Sequence, residues 1–317
     1  TLGVVTSGNN TCATVQAGEP DPASGNIMPS NTVWYSFVAP PSGHVVVSTD
    51  HGATNFDTEI AIYRANASPC PGNVWGNLTE VGSNDDITLL INEQSEVDLQ
   101  CLTPGMTYYV QMDGNDNSTF GPFQISVTAQ GPPLPTNNNL CNAIGLTLGT
   151  TYSGNNNCAT VQPGEPMGSC GQQFNTVWHT FVAPASGQVN VTTDFGGTNF
   201  DTQITVYQAS STPCPATNFG LMSELECNDD ITFLINTRSQ ALVECMTPGA
   251  TYYLQIGGAG SNDFGNYQVN VSSVGPPLPT HNNICNAIPL TLGVTGTYNN
   301  NCATVQPGEV DPASGTI

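Results

Sequence analysis

The feature that most constrains this fold is a long internal repeat. The phrase GPPLPTNNNLCNAIGLTLG at 131–149 returns as GPPLPTHNNICNAIPLTLG at 275–293, which is 144 residues later. The same offset relates NTVWYSFVAP at 31–40 to NTVWHTFVAP at 175–184. Stacked-repeat proteins have periods of about 20–50 residues, so a period of this length corresponds to a whole domain. The sequence therefore predicts a tandem array of domains.

Proline-rich GPPLPT segments at 131–136 and 275–280 separate the repeats. Consecutive prolines favour extended polyproline II backbone, so both segments are predicted to be short, stiff linkers. The first domain is then 1–130, with a truncated start, and the second domain is 137–274. Residues 281–317 are the opening segment of a third domain.

The opening of the third domain indicates the order of the array. Its sequence NCATVQPGEVDPASGTI at 301–317 matches 11–27 better than it matches 157–173. We therefore expect the domains to alternate in an A-B-A pattern. The super-repeat is 290 residues, which is the distance from Cys12 to Cys302.

Strand patterns dominate both repeats. TVWYSFVA, HVVVSTD, TEIAIY, ITLLIN, TYYVQM and FQISVTA are rich in β-branched and aromatic residues and are bounded by Gly, Pro, Asn and Ser. In the stretch 267–273, Tyr267, Val269 and Val271 alternate with polar residues, as in a strand with one buried face. The sequence predicts an all-β fold in which each domain is an antiparallel, jelly-roll-like β-sandwich.

The charge of the chain excludes several classes of partner. Lys and Arg together number 2 against 24 acidic residues, so the formal net charge is −22. Such a chain is repelled by nucleic acid and by anionic membranes. The sequence has no apolar run of about 18–20 residues, the length that a membrane-spanning helix needs. We therefore expect no nucleic-acid partner and no membrane insertion.

The 11 cysteines indicate an oxidising compartment, and hence an extracellular or cell-surface protein. Cysteines that recur together in the repeats, or that occur together in only one repeat, are expected to be partners. Cys12 is predicted to be unpaired within this chain. The predicted bridges are Cys70–Cys101, Cys141–Cys158, Cys170–Cys227, Cys214–Cys245 and Cys285–Cys302.

Acidic residues common to both repeats are candidate metal ligands. One aspartate follows Asn-Phe at the start of a strand, and an Asp-Asp pair sits in a turn led by Asn. Calcium takes 6–8 oxygen ligands, typically carboxylates and backbone carbonyls from loops. The alternative is a solvated Asn-Asp-Asp turn and an aspartate that caps a strand. The predicted calcium ligands are Asp57, Asp85 and Asp86 in the first repeat, and Asp201, Asp229 and Asp230 in the second.

Histidine chemistry is not expected, because no repeat position keeps a histidine in both copies. His44, His51, His179 and His281 align with Gln188, Phe195, Tyr35 and Asn137. A catalytic zinc site or a Ser-His-Asp triad needs a histidine. No catalytic residue is assigned, and a non-enzymatic protein is predicted.

The order of motifs NNxCNAIxL, NTVWYSFVAPPSG, FDTEIAIY, NDD, PGxTYYVQ and a closing FQISV strand resembles the bacterial pre-peptidase C-terminal domain. This family consists of β-sandwich modules found in tandem in large secreted surface proteins. The resemblance covers both complete repeats and implies a non-catalytic role in a bacterial protein. It also implies calcium near the FDT and NDD segments. No protease domain accompanies the modules here.

Two functions follow from these observations. The first is an extracellular structural repeat protein that forms a filament or surface fibre, through self-association or as part of a longer repeat chain. The second is an adhesion module that binds glycan or another surface polymer, with Trp75, Tyr63 and Tyr207 as aromatic platforms. Trp34 and Trp178 lie in predicted strands and are expected in the core.

Overall fold

The computed structural model describes residues 1–24, 30–70 and 72–309. The chain divides into two compact units, Thr1–Leu134 and Pro135–Ile317. Their boundary falls within the first proline-rich linker. The predicted opening of the third domain belongs to the second unit, and its last part, 310–317, lies outside the described residues.

The described residues of the first unit form eight strands in two antiparallel sheets. One sheet has the order β1-β8-β3-β6 and the other has the order β2-β7-β4-β5. The strands are β1 (Thr6–Asn9), β2 (Val33–Val38), β3 (Val45–Ser48), β4 (Thr58–Ala65), β5 (Leu78–Asn84), β6 (Glu96–Leu99), β7 (Thr107–Gly114) and β8 (Pro122–Ala129).

The second unit repeats this arrangement and adds one short strand. Its sheets have the orders β10-β17-β12-β15 and β14-β13-β16-β11-β9, and β9 pairs in parallel with β11. The strands are β9 (Ile144–Gly145), β10 (Tyr152–Asn155), β11 (Phe174–Val182), β12 (Val189–Thr192), β13 (Thr202–Ala209), β14 (Met222–Asn228), β15 (Gln240–Val243), β16 (Thr251–Gly258) and β17 (Asn266–Ser273).

This strand order is that of an eight-stranded jelly roll, so the predicted all-β sandwich fold is confirmed. The helical segments in the described part are four 3-10 turns, Trp75–Asn77, Leu140–Asn142, Phe219–Leu221 and Ile284–Asn286. Across the described residues, no helix is long and apolar enough to cross a membrane.

The core of each unit lies between its two sheets. Alternate side chains of a strand point to one face, so Val45 and Val47 on one sheet meet Ile60 and Ile62 on the other. All four are 0% exposed, as is Val110 on β7. Full burial of such side chains contributes about 1.5–3 kcal/mol each. The same positions in the second unit carry Val189, Val191, Ile204, Val206 and Leu254.

One predicted strand is wrong. The ITLLIN segment forms a tight turn closed by pairing of Thr88 with Asn92, and Leu90 adopts a φ of 60° at its tip. Leu89, Leu90 and Ile91 are 74–83% exposed, because the segment follows the end of β5 and no described strand pairs with it. The apolar and β-branched residues that favour a strand therefore form an exposed apolar turn instead.

One predicted disulfide is confirmed. Cys170 and Cys227, which occur only in the second repeat, are bonded with a Cα–Cα distance of 5.9 Å. The first repeat has Ser83 in place of Cys227, and its hydroxyl accepts a hydrogen bond from the Ser24 amide at 3.1 Å.

The predicted bridges Cys141–Cys158 and Cys214–Cys245 are wrong. Cys141 is bonded to Cys214 instead, with a Cα–Cα distance of 5.5 Å across 73 residues of sequence. The reason is the sheet order. Cys141 and Cys214 flank β9 and β13 of one sheet, whereas Cys158 and Cys245 follow β10 and β15 of the other.

The predicted bridges Cys70–Cys101 and Cys285–Cys302 are also wrong. Cys302 is bonded to Cys245, with a Cα–Cα distance of 5.2 Å, so the opening of the third repeat is tied to the second. Cys70 and Cys285 are exposed free thiols, as is Cys12, which was predicted to be unpaired. Cys101 and Cys158 are also disulfide-bonded, and they lie 144 positions before Cys245 and Cys302.

The connectivity can be tested with trypsin, because the chain has no Lys and cleavage is confined to Arg64 and Arg238. After free thiols are alkylated, digestion in mild denaturant without reductant should release 1–64, 65–238 and 239–317 as three separate fragments. Every observed bridge lies within one of these fragments. A Cys214–Cys245 bridge would instead keep 65–238 attached to 239–317 until reductant is added.

Candidate metal site

The register of two strands brings the predicted ligands of each repeat together. In the second unit β13 pairs with β14 so that Ile204 faces Asn228. Asp201 lies just before β13, and Asp229 and Asp230 come directly after β14, so the three meet at one end of the sheet. In the first unit the pairing of Ile60 with Asn84 carries Asp57, Asp85 and Asp86 to the corresponding end of the sheet, but among the described residues their carboxylate oxygens do not form as close a cluster as those of the second unit.

Hydrogen bonds from the neighbouring loop hold the Asp-Asp turn in shape. In the second unit the Ser239 hydroxyl donates to the Asp229 carbonyl at 2.9 Å. The Asn228 side chain donates to the Asp230 carbonyl at 3.3 Å and accepts from the Gln240 amide at 2.8 Å. Because backbone groups are held by these polar side chains, the carboxylates remain available. The first unit repeats the contacts with Ser95, Asp85, Asn84, Asp86 and Glu96.

One oxygen of each carboxylate lacks a hydrogen-bond partner, although the Oδ2 of Asp57 accepts from the Asn115 side chain at 3.0 Å. One oxygen from each of Asp201, Asp229 and Asp230 lies within 4.8 Å of the others. Each of the six predicted ligands has a buried Oδ1 that accepts no hydrogen bond from any described residue. A buried acceptor without a donor is unfavourable, and clustered negative charge adds to that cost. A positive charge bound between these carboxylates would therefore stabilise them.

The pKa values of these groups respond to the same surroundings. Burial, followed by the charges of Asp57 and Asp86, raises the pKa of Asp85 to about 6. Burial, followed by the charges of Asp230 and Asp229, raises the pKa of Asp201 to about 6. Burial also raises the pKa of Asp57 and of Asp229. Burial and mutual repulsion make these carboxylates difficult to ionise. A cation bound between them would offset the repulsion and favour their charged form.

The donor set fits a hard divalent cation. It consists of carboxylate oxygens at loop ends, which are the ligands that calcium prefers, and it contains no thiolate or imidazole. Three aspartates supply up to six oxygens, within the 6–8 that calcium takes. The three aspartates of the second unit are therefore able to hold calcium, whereas in the first unit the corresponding carboxylates lie less close together.

The first unit has a further acid that sequence comparison missed. Glu59 on β4 is 2% exposed, and burial raises its pKa to about 7, with a smaller contribution from Asp85. Its carboxylate accepts a hydrogen bond from the Ser24 hydroxyl at 3.2 Å. The second unit has Gln203 at this position. The available signal was a lone charge inside an otherwise apolar strand, TEIAIY.

The aromatic platforms expected for glycan binding are largely inaccessible. Tyr63 and Tyr207 are 2% and 1% exposed, so neither offers a face to a ligand, and that expectation is wrong. Trp75 stacks on Trp34 at 5.6 Å between ring centroids, and its indole nitrogen donates to the Ala17 carbonyl at 3.0 Å. Trp178 is fully buried, as expected for a core residue.

The buried histidine has a structural environment. His179 is 0% exposed, and burial lowers its pKa to about 4, so the ring is neutral at pH 7. Its Nε2 lies 2.8 Å from the Tyr267 hydroxyl, and its Nδ1 lies 3.2 Å from the Ile144 carbonyl. These contacts satisfy the ring within the sandwich.

Comparison with known proteins does not place this chain in a family. No protein-family model matches the chain, and no curated protein matches it. Matching solved structures include an uncharacterized protein from Burkholderia cenocepacia, with 10% identity, a TM-score of 0.23 and coverage of 84% of this chain and 80% of that chain.

Two further structural matches are equally distant. Allantoicase has 13% identity and a TM-score of 0.21, with 78% of this chain and 76% of that chain covered. The N-terminal CBM22-1-CBM22-2 tandem domain of Paenibacillus barcinonensis Xyn10C has 10% identity and a TM-score of 0.21, with 86% and 84% covered. Similarity at this level supports no functional inference.

The raised pKa values predict an unusual pH dependence in chelator. The pKa values of Asp85 and Asp201 are about 6 in the folded chain against an ordinary value of 3.8. Between these values the folded chain binds more protons than the unfolded chain, so the free energy of unfolding falls as pH rises through the window. Thermal melts in EDTA at pH 5 and pH 7 should give the higher Tm at pH 5.

The matched variants are Asp85→Asn and Asp201→Asn, which remove the groups that titrate. Each should reduce the difference between the two melts and raise the Tm at pH 7. Glu244→Gln replaces an exposed acid outside the cluster and should leave the difference unchanged. A Tm that rises with pH in EDTA would contradict the assignment.

Proposed function

We propose that this chain is a non-catalytic, extracellular structural repeat protein that forms a filament or surface fibre. The observation that carries the proposal is the Cys245–Cys302 bridge, which joins one repeat to the opening of the next. A binding module on a flexible tether does not need a covalent bond across its linker. An array of repeats that carries mechanical tension does need such a bond.

The linker itself is packed against the repeat that precedes it. The Leu278 amide donates to the Ala185 carbonyl at 3.0 Å. From the opening of the third repeat, the Asn299 side chain donates to the Pro277 carbonyl at 3.2 Å. A Cβ at Gly187, where φ is 60°, would lie 2.6 Å from the Met246 carbonyl oxygen and 2.7 Å from Leu278. Glycine is therefore needed where the linker docks.

A docked linker and a disulfide together favour one geometry between successive repeats. A fixed rotation and translation that is repeated without closure generates a helical filament. The alternation of repeat types makes the filament period two domains. Oxidising conditions outside the cell would preserve the bridges, which is consistent with the predicted extracellular location.

Calcium is the second element of the proposal. One ion held by the three aspartates of each unit would neutralise the clustered charge and fix the turn that carries the apolar tip. That tip is Leu89–Ile91 in the first unit and Phe233–Ile235 in the second, and its side chains are 74–85% exposed. Exposed apolar groups of this kind mark contact surfaces in assembled proteins.

Calcium should bind only the folded chain and stabilise it. At 100 times the Kd, a single site contributes about 2.7 kcal/mol to the free energy of unfolding. Calorimetric titration should give two ions per chain, and Asp229→Asn with Asp230→Asn should remove one of them. Glu244→Gln should retain both. An unchanged Tm and no measurable heat on addition of calcium would rule the site out.

The filament prediction is tested by electron microscopy of native material and of the purified 317-residue chain under oxidising conditions. We expect fibres whose axial repeat holds two domains. The Cys245→Ser, Cys302→Ser variant should give fibres that are more flexible or shorter, because the covalent link across the linker is lost. Isolated globular particles alone, at any concentration, would favour the adhesion module.

A further inference from the structure

A cavity of about 270 Å³ lies beneath one loop of the second unit and shares no lining residue with the aspartate cluster. The loop, residues 161–173, crosses the face of the β13 and β16 strands that points away from the core. The Tyr207 hydroxyl on that face donates to the Pro166 carbonyl of the loop at 3.3 Å. The apolar lining of the cavity includes Val161, Pro166 and Met167, and the polar lining includes Glu165, Gln173 and Gln255.

Two of the polar groups lie over one cross-strand pair. Thr205 on β13 is directly opposite Gln255 on β16. Such residues have Cβ atoms about 4.5–5.5 Å apart. The Gln173 side chain donates to the Thr205 hydroxyl at 3.2 Å, and the Gln255 side chain donates to the Glu165 carboxylate at 2.9 Å. The Gln173 amide and the Glu165 carboxylate are therefore held beside each other over the sheet.

Both groups can accept a donor from a ligand. Gln173 is 4% exposed, and its Oε1 is buried and accepts no hydrogen bond from any described residue. A buried acceptor in that state is unfavourable. The Glu165 carboxylate accepts from the Trp178 indole at 2.8 Å and from Gln255, which are neutral donors. The cavity therefore offers a free acceptor next to a negative charge that no described cation neutralises.

The cavity is open on its apolar side. Met167 is 67% exposed and Val161 is 46% exposed, so both lie at the mouth. The Cys170–Cys227 bridge fixes the loop to the sheet, and the Ser169 amide adds a hydrogen bond to the Glu224 carboxylate at 2.9 Å. A cavity fixed in this way loses little conformational freedom when it binds a ligand.

We propose that this cavity binds the side chain of a lysine from a partner protein, with the ammonium group between the Glu165 carboxylate and the Gln173 Oε1. An ammonium group has three donors and no acceptor, which suits these two groups. The aliphatic stem of a lysine packs on apolar surface while its charge reaches a polar site. Val161, Pro166 and Met167 supply that surface.

The charge of the chain favours such a partner. The formal net charge of −22 attracts cationic proteins and speeds their association. The 317 residues contain no lysine, so a second copy of them does not supply the side chain. The inference concerns a partner of the array and does not depend on whether the array forms a filament.

The first unit differs at the base of the cavity and provides an internal control. A Cβ at Gly257 would lie 3.0 Å from the Cβ of Gln173, so glycine leaves room for this side chain. The corresponding residue of the first unit is Asp113. Its carboxylate accepts from the Ser30 and Asn31 amides at 2.6 and 3.0 Å. Those donors satisfy the carboxylate, so the acceptor pair of the second unit is not reproduced there.

Tryptophan indole signals in nitrogen-15 NMR spectra can test the site, because the chain has three tryptophans. The Trp178 indole donates to Glu165, and the Trp34 indole donates to Glu19 at 2.6 Å in the first unit. Trp34→Phe and Trp75→Phe assign the signals. Titration with Nα-acetyl-lysine N-methylamide at constant ionic strength should shift the Trp178 signal to saturation and leave the Trp34 signal in place. No saturable shift, or equal shifts of both signals, would overturn the proposal.

Small probes separate the contributions of charge and stem. Butylammonium carries both and should shift the same Trp178 signal. 1-Butanol lacks the charge, and the ammonium ion lacks the stem, so each should bind about tenfold more weakly or less. Butyrate has the opposite charge and should not bind. Comparable binding of butanol or butyrate would contradict an ammonium site.

Two variants locate the site. Gln173→Met removes the acceptor and keeps an unbranched side chain, so the Kd for the lysine probe should rise about tenfold. Met167→Lys places an ammonium group of the chain at the mouth, on an exposed residue outside the core, and should abolish binding. Met106→Lys adds the same charge at an exposed residue of the first unit and should leave the Kd unchanged. Equal affinities of Met167→Lys and Met106→Lys would overturn the assignment.

Discussion

The antiparallel pairing of two central strands organises each sandwich. In the first unit Ile60 pairs with Met112 and Ile62 with Val110, and all four side chains are 0% exposed. A shift of one residue in this register would turn every one of them to the opposite face of the sheet. The same strand β4 pairs on its other side with β5, so the register that closes the core also sets the aspartates side by side.

That coupling explains why carboxylates with unpaired oxygens can persist close together in a stable fold. The chain carries a formal charge of −22, and the three aspartates of each unit cannot spread apart because they sit at the ends of strands fixed by the core. The serine that clamps the turn, Ser95 or Ser239, bonds backbone carbonyls and leaves the carboxylates free for a cation.

The two units differ at the edge of one sheet. An uncovered strand presents unpaired backbone groups and tends to add another strand. In the second unit the edge is covered by β9 and sealed by the Cys141–Cys214 bridge. In the first unit β2 is the outermost strand among the described residues.

Repetition and local pattern determined much of this protein from sequence alone. The 144-residue offset located the linkers, and alternation such as that in 267–273 indicated β-sandwiches. The shared FDT and NDD segments pointed to aspartates that the structure brings together. Cys170 and Cys227 could be paired because they occur in one repeat only. Each of these signals is carried by neighbouring residues or by comparison of equivalent positions.

Only the tertiary structure decided the remaining cysteine partners, the fate of ITLLIN and the role of Glu59. Cys141 and Cys158 are close in sequence, but β9 and β10 carry them to different sheets, while Cys214 returns to Cys141 from 73 residues away. Strand order in a jelly roll is set by hydrogen bonds between segments distant in the chain. A local pattern can say that a segment favours a strand, but it cannot say which strand lies beside it.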